Sequence, residues 1–452
     1  MNNFSSDDTI CALATGGGIS AIALIRVSGN ESIKIVDKIF SKNLQEQKSH
    51  TVHFGNIIHG DNIIDEVVIT LFHKKQSFTG EETVEISCHG SKYIQNKILE
   101  ILINSGIRLA NPGEYTMRAF KNGKLDLSQA ESIADLIESE SEAAHKSAIQ
   151  QLRGGFSKKL QQLRKKLIDF ASLIELELDF SEEDVEFADR SQLNNLLNVL
   201  QKEISTLINS FKIGNVIKNG IPVTILGAPN VGKSTLLNTL LNEDKAIVSD
   251  IAGTTRDSIE DEIIIKGYCF RFIDTAGIRK TDDTIENLGI DKTISHAKKS
   301  SIIIYLMDAS EKIENQLTNI NTLDVEDQEK VIKVINKIDV LDKLESNIDD
   351  CVFISAKENI GIDELKDKIF DFSMINALDN NKTIVTNQRH YEQLKNTLND
   401  LELVIEGLNN GLSGDLLAIN IKQSLFHLGL ITGEVSTDDL LSNIFGKFCI
   451  GK

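Results

Sequence analysis

Apolar and polar residues follow two different periods along the chain, and the change of period marks its organisation. Up to about Phe120, short β-branched runs bounded by turn residues predict strands: Ala23 to Gly29 (ALIRVSG), Glu66 to Phe72 (EVVITLF) and Thr83 to Gly90 (TVEISCHG). Tyr93 to Ile103 carries the spacing of an amphipathic helix, and Asn111, Pro112 and Gly113 signal a turn. From Ser128 the pattern turns helical, with Ile133, Ile137, Ala148, Leu152, Leu160, Leu163, Leu167 and Phe170 on one stripe and a break near Gly154 and Gly155. The acidic stretch Asp179 to Asp189 reads as a loop or helix start, followed by a helix to about Lys212. From Val216 to about Phe372 strands alternate with helices, whereas Tyr391 to Leu408 and Asp415 to Leu428 return to helical spacing. The expected fold is therefore α/β and α. An α+β region (1–120) precedes a helical part (121–215), an inserted α/β domain (216–375) and a second helical part (376–452). The last helices are expected to pack on those of residues 128 to 212.

Composition narrows the class of protein. At 452 residues the chain is too long for one core. Its 41% hydrophobic and 25% charged content is that of a globular protein. With 48 Lys and Arg against 67 Asp and Glu, the net charge of −19 repels nucleic acid at long range. An RNA partner would need a local basic patch or a second protein. The N-terminus lacks a basic start followed by an apolar core, and no apolar run approaches the ~20 residues that span a bilayer, so a cytoplasmic protein without membrane contact is expected. Five scattered cysteines with no CxxC pairing suggest neither a disulfide framework nor a zinc site.

The stretch Ile221 to Thr235 (IPVTILGAPNVGKST) carries the candidate chemistry. A buried-strand run leads into a tight loop from Gly227 to Gly232, and Leu236, Leu237, Leu240 and Leu241 continue with helical spacing. Strand, loop and helix are the context that a GxxxxGK[ST] phosphate loop requires. Residues Asn230, Val231, Gly232, Lys233, Ser234 and Thr235 would line it. Their amides turn toward phosphate, Lys233 adds charge, and the Ser234 hydroxyl faces magnesium.

Four further stretches fit the same site. Phe270 to Gly277 ends in Asp274, Thr275, Ala276 and Gly277, where a carboxylate holds magnesium through water and a glycine amide meets the terminal phosphate. Val331 to Asp339 ends in Asn336, Lys337, Ile338 and Asp339, and Cys351 to Glu358 contains Ser355, Ala356 and Lys357. One carboxylate, Asp339, can accept both neighbouring donors on the edge of guanine, a pair that adenine does not offer, so this pattern favours GTP over ATP. Asn336 would brace the loop and Lys337 lie along the base. The stretch Ser249, Asp250, Ile251, Ala252, Gly253, Thr254 and Thr255 reads as a switch, with Thr255 reaching magnesium only when a terminal phosphate is present. Ile278 follows DTAG where a signalling GTPase places a water-orienting glutamine, so catalysis must be organised differently.

Together with FTGEETVEI, PGEYTMRAFKNGKLDLSQAE, IVSDIAGTTRD and the closing FCIGK, these motifs resemble the tRNA modification GTPases of the MnmE (TrmE) family from end to end. The resemblance implies an N-terminal domain that dimerises and binds 5-formyltetrahydrofolate or a related folate, a helical domain, and an inserted Ras-like G domain. It implies hydrolysis stimulated by potassium. Asn230 would give its side-chain oxygen, Ser249 and Ile251 their carbonyls, and Thr254 would complete the shell. Glu286, in TDDTIENLG, would orient the attacking water indirectly. Folate contacts carry over to Arg26, Glu85, Lys124 and Lys452, and Cys449 to a cysteine linked to the modification. Thr235 stands where several relatives have a second serine. His89 reads as a turn residue.

The function implied is a GTP hydrolase that works as a homodimer with the flavoprotein MnmG. It would add an aminomethyl or carboxymethylaminomethyl group at carbon five of a tRNA wobble uridine. Two alternatives stay open at this point: a GTP-dependent switch that docks on RNA or a ribosome without base chemistry, and a folate aminomethyl transfer enzyme with a regulatory G domain.

Overall fold

A computed structural model describes residues 8–179, 190–244, 261–273, 300–321, 330–341, 350–373 and 383–451. The chain forms two units, one of residues Met1–Ile137, Gln150–Leu197 and Asn399–Lys452, the other of residues Glu138–Ile149 and Asn198–Leu398.

The first unit opens with β1 (Ile10–Leu13), β2 (Ile22–Ser28), α1 (Ser32–Asp37), β3 (Thr51–His59), β4 (Asn62–Phe72), β5 (Thr83–His89), α2 (Lys92–Asn104), β6 (Arg108–Leu109), α3 (Glu114–Lys121) and α4 (Leu127–Ile137). The strands form one sheet in the order β3-β4-β5-β2-β1-β6, antiparallel except for the β1–β6 pair. Alternation along β2, β4 and β5 sends Ile25, Val27, Ile69, Leu71, Val84 and Ile86 into a core shared with Ile33, Ile98 and Leu102 of the helices. The other face keeps Arg26 and Glu85, which are direct cross-strand partners. The three strands expected from the pattern are β2, β4 and β5, with β4 starting earlier, at Asn62. β1, β3 and β6 were not legible. β6 is two residues long, and β3 mixes polar residues into an edge position, so neither has a periodicity of its own.

Helices α5 (Glu142–Leu152), α6 (Gly155–Asp179) and α7 (Arg190–Asn219) follow. The break expected at Gly154 and Gly155 separates α5 from α6, and a second break after Ile137 interrupts what the pattern made continuous. The acidic stretch reaching Asp189 lies, from residue 180, outside the described residues. α7 runs past Lys212 to Asn219, because Gly214 and Ile217 keep its apolar side buried beyond the point where the stripe weakens.

The second unit holds β7 (Ile221–Gly227), α8 (Lys233–Asp244), β8 (Asp261–Ile265), β9 (Tyr268–Phe272), β10 (Ile302–Asp308), α9 (Ile313–Asn321), β11 (Val331–Asn336), β12 (Cys351–Phe353) and α10 (Ile362–Phe372). Its sheet order is β12-β11-β10-β7-β9-β8, parallel except for β8 on β9. β10 is buried along its whole length and serves both faces. Ile302, Ile304 and Leu306 pack with Leu236 and Leu240 of α8 and with Leu365 of α10, while Ile303, Tyr305 and Met307 pack with Ile313 and Leu317 of α9. A parallel sheet covered on both faces is the reason these strands read as continuous apolar runs.

The chain closes with α11 (Gln388–Asn409), α12 (Gly414–Thr432) and α13 (Asp438–Phe445). α12 packs along α6, as expected of the last helices. Phe211 of α7 stacks on Tyr391 of α11 at 4.4 Å.

Candidate functional site

The carboxyl ends of β7, β10, β11 and β12 lie side by side, and the loop after β7 opens where the chain leaves for β8 and β9 before crossing to β10. A crevice at such a reversal is where doubly wound sheets take ligands. The loop bends through Asn230 at φ +60° and Gly232 at φ +99°, both left-handed conformations. A side chain at position 232 would meet Asn336 Nδ2 at 2.4 Å, so only glycine lets the loop lie against β11. Lys233 Nζ donates to the carbonyls of Gly227 at 2.8 Å and Ala228 at 2.9 Å, which holds the ammonium across the loop mouth. Val231 is buried beneath it, whereas Ser234 is half-buried and Asn230 and Thr235 are exposed.

The base-side stretches are tied to this loop through one buried amide. Asn336 Nδ2 donates to the Val231 carbonyl at 2.8 Å and its Oδ1 accepts from the Ala356 amide at 2.9 Å. The three motifs are thereby fixed to one another by a side chain that is only 3% exposed. Thr239 of α8 adds a bond to the Ala356 carbonyl at 2.7 Å. Ser355 donates its hydroxyl to Asp339 Oδ1 at 2.6 Å, and that bond holds the Asp339 carboxyl below its ordinary value. Asp339 stays ionised and faces solvent beside Ile338, while Lys357 is well exposed against Glu358.

Two residues outside the sequence motifs complete the corner. Lys337, at φ +67°, donates to Asp308 Oδ2 at 2.6 Å, and Asp308 is the register partner of Asn336 at the end of β10. Burial alone would raise the Asp308 carboxyl, but the bonds from Lys337 and Ser310 outweigh it and lower the value. Gln316 of α9 clasps the Asp308 backbone with both ends of its amide. The available signal was an apolar run, IIIYLMD, that ends on a carboxylate.

Residues 245–260 and 274–299 lie outside the described residues. They hold Ser249, Asp250, Ile251, Ala252, Gly253, Thr254, Thr255, Asp274, Thr275, Ala276, Gly277 and Glu286.

The second constellation lies in the first unit. Arg26 Nε donates to Glu85 Oε1 at 2.8 Å, and its guanidinium stands 5.7 Å from the Tyr115 ring centre. Two of the residues expected to contact folate thus form an ion pair with each other, since the strand register sets them opposite. The closing peptide reaches the same place. Arg26 Nη1 donates to the Gly451 carbonyl at 3.4 Å, and the Gly113 amide donates to the Cys449 carbonyl at 3.3 Å. Cys449 is a free, exposed thiol. Lys124 is exposed and bonds the Lys75 carbonyl at 3.1 Å, and Lys452 lies outside the described residues. His89 is held by Asp65 Oδ1 at 2.7 Å and is the last residue of β5, opposite Ile22, where the sequence context suggested a turn.

Beneath this face, Arg118 bonds Asp8, Glu81 and Glu114, and Arg108 bonds Asp8 and Glu114. This network, buried at Arg118 and Glu114 and partly exposed at Asp8 and Arg108, joins the GEE and PGEYTMR stretches. Among the described residues no group of three or more His, Cys, Asp or Glu is placed to hold a metal. No helix among them is long and apolar enough to cross a membrane.

Comparison with known proteins extends the likeness to nearly every residue. Residues 9–124 match the family model for the N-terminus of the GTP-binding protein TrmE, and residues 127–449 match that for the MnmE helical domain. The tRNA modification GTPase MnmE of Flavobacterium psychrophilum is 53% identical over 458 residues, spanning 98% of this chain and 99% of that protein. The MnmE of Cytophaga hutchinsonii is 53% identical over 454 residues, with 98% of each chain covered, and that of Bacteroides thetaiotaomicron 49% over 466 residues, with 99% and 100% covered. A likeness this long takes in both the sheet that carries Arg26 and Glu85 and the loop that carries Lys233, and from it we conclude that this chain belongs to the MnmE (TrmE) family of tRNA modification GTPases.

Proposed function

We propose that the chain is a potassium-stimulated GTPase that works as a homodimer with the flavoprotein MnmG. It modifies carbon five of the wobble uridine of certain tRNAs in the cytoplasm, with GTP as substrate. The observation that carries this reading is the Asn336 amide. It ties the phosphate loop to Ala356, next to Ser355, whose hydroxyl keeps the Asp339 carboxyl ionised. Guanine offers two donors to such an acceptor, and a buried frame of fixed bonds rejects a base that lacks them.

In this reading the loop amides from Asn230 to Thr235 and the Lys233 ammonium bind the phosphates, and Asp339 with Lys337, Ser355, Ala356 and Lys357 holds the base. Ser234, half-buried in the first turn of α8, fits a magnesium ligand, with Thr255 as its second. The exposed, left-handed Asn230 fits a side-chain oxygen ligand for potassium beside Ser249, Ile251 and Thr254. Potassium there supplies positive charge against the charge growing on the phosphates. Glu286 orients the water, and Arg26, Glu85, Lys124 and Lys452 hold a formyltetrahydrofolate near Cys449. The domain limits proposed are 1–120 for the folate-binding and dimerising part, 216–375 for the G domain, and 121–215 with 376–452 for the helical domain.

The test is nucleoside mass spectrometry of tRNA incubated with the purified chain, the flavoprotein, GTP and folate. A modified uridine that depends on GTP is expected. GTP turnover with no change in the tRNA would instead favour the RNA or ribosome switch. Hydrolysis should run about ten times faster or more in potassium than in sodium; equal rates would sink the role given to Asn230.

A further inference from the structure

α6 carries its charges the wrong way round for its own dipole. The amino end of a helix is its positive pole and favours carboxylates, the carboxyl end the reverse. α6 has no acidic residue in its first turn and no basic residue in its last. Instead Lys158 and Lys159 stand near the start, and Glu175, Glu177 and Asp179 near the end. Between Glu142 and Asp169 the chain holds no Asp or Glu at all. Within that span fall Lys146, which pairs with Glu142, and Arg153, Lys158, Lys159, Arg164, Lys165 and Lys166, in a protein with 67 acidic residues against 48 basic ones. Like charges packed this closely repel; Lys159 and Lys166 have interactions within the chain, whereas Lys158 and Lys165 are both exposed. A sequence that breaks local rules in this way points to a partner that takes up the charge.

Geometry selects the partner. Lys158, Gln161, Gln162 and Lys165 are all exposed and share one face of α6 by their i, i+3, i+4, i+7 spacing. The two lysines stand roughly 10 Å apart along the axis at the usual rise per residue. Arg164, on the flank, is taken by an ion pair to Glu434. The neighbouring α12 has Asp415 as its single carboxylate. Between the two lysines there is no aromatic or aliphatic anchor of the kind that centres a protein interface. Ammonium and amide donors on a rigid helix are instead what phosphate and ribose oxygens accept from.

We propose that this face of α6 is the docking surface for the phosphate backbone of the tRNA, a reading that rests on the function proposed above. The net charge of −19 repels RNA at a distance, and the acid-free stretch is where close approach becomes favourable.

The test is fluorescence anisotropy of an unmodified tRNA transcript with the full-length protein across a sodium chloride series. In Lys158→Ala/Lys165→Ala, affinity should fall about tenfold, and the slope of log affinity against log salt should shrink by about 1.5 to 2, the loss of two phosphate contacts. Lys158→Arg/Lys165→Arg should bind as the wild type. Gln161→Glu, with every lysine in place, should weaken binding. GTP turnover and melting temperature should be unchanged in all three, which reports an intact fold. An unaltered affinity and slope in the double alanine variant overturns the proposal, and so does a wild-type protein that does not bind the transcript. Loss of flavoprotein capture with RNA binding intact would also overturn it, by assigning the face to a protein. If the double alanine variant loses RNA affinity as expected while the wild type with its flavoprotein never modifies uridine, the docking surface stands and the function reading fails.

Discussion

Asn336 joins two loops of the candidate nucleotide site, because its one amide satisfies a donor and an acceptor in them. Truncation leaves the Val231 carbonyl and the Ala356 amide unpaired in a buried place, and each such loss costs about 1–3 kcal/mol. Asn336→Ala is therefore expected to lower unfolding stability by about 2–6 kcal/mol for the two groups together, and GTP affinity with it. Urea denaturation and calorimetry of GTP binding check both. Full stability with the alanine would mean that the two loops are held by something else. Asp308 shows a complementary dependence, for its carboxylate is useful only because Lys337 reaches it.

Among the elements, the phosphate loop is set by its backbone conformation. Gly232 combines a left-handed φ with a close approach to Asn336, so Gly232→Ala strains the backbone and displaces the brace together. The expected result is a loss of more than about 1 kcal/mol of stability and a fall in GTP binding, read from thermal melting with and without nucleotide. The closing peptide behaves in a similar way in the other unit. After α13 it turns back to place the Cys449 carbonyl on Gly113, at the start of α3, and the Gly451 carbonyl on Arg26 of the sheet.

On the scale of the whole molecule, the acid response follows from the Arg118 network. For both Asp8 and Glu114 burial works to raise the carboxyl, but bonds from Arg108 and Arg118 outweigh it and hold each below its ordinary value of 3.8 or 4.5. A carboxyl depressed in the folded state adds stability that is complete above the ordinary value and is lost as pH falls through the depressed one. Stability of the first unit should therefore hold at and above about pH 5 and decline as the pH drops below the ordinary carboxylate range. Glu114→Gln should be less stable at neutral pH and show a shallower acid decline. Denaturant titrations at several pH values check this, and an unchanged acid slope would discount the network.

Much of this protein is determined locally and so could be read from the chain alone. Strand, glycine turn and helix around Lys233 follow from residues within fifteen positions of one another, and the apolar runs of β7, β10 and β11 announce a sheet covered on both faces. The order of the GTP motifs named the base by hydrogen-bond complementarity. Tertiary structure alone decided which residues meet. The partnership of Asp308 with Lys337, the ion pair of Arg26 with Glu85, and the return of the closing peptide to β2 each join positions far apart in sequence. Short strands such as β1 and β6 exist only because a register partner supplies their hydrogen bonds. A local pattern records which face of an element is apolar; it carries no record of which distant element that face or charge will meet.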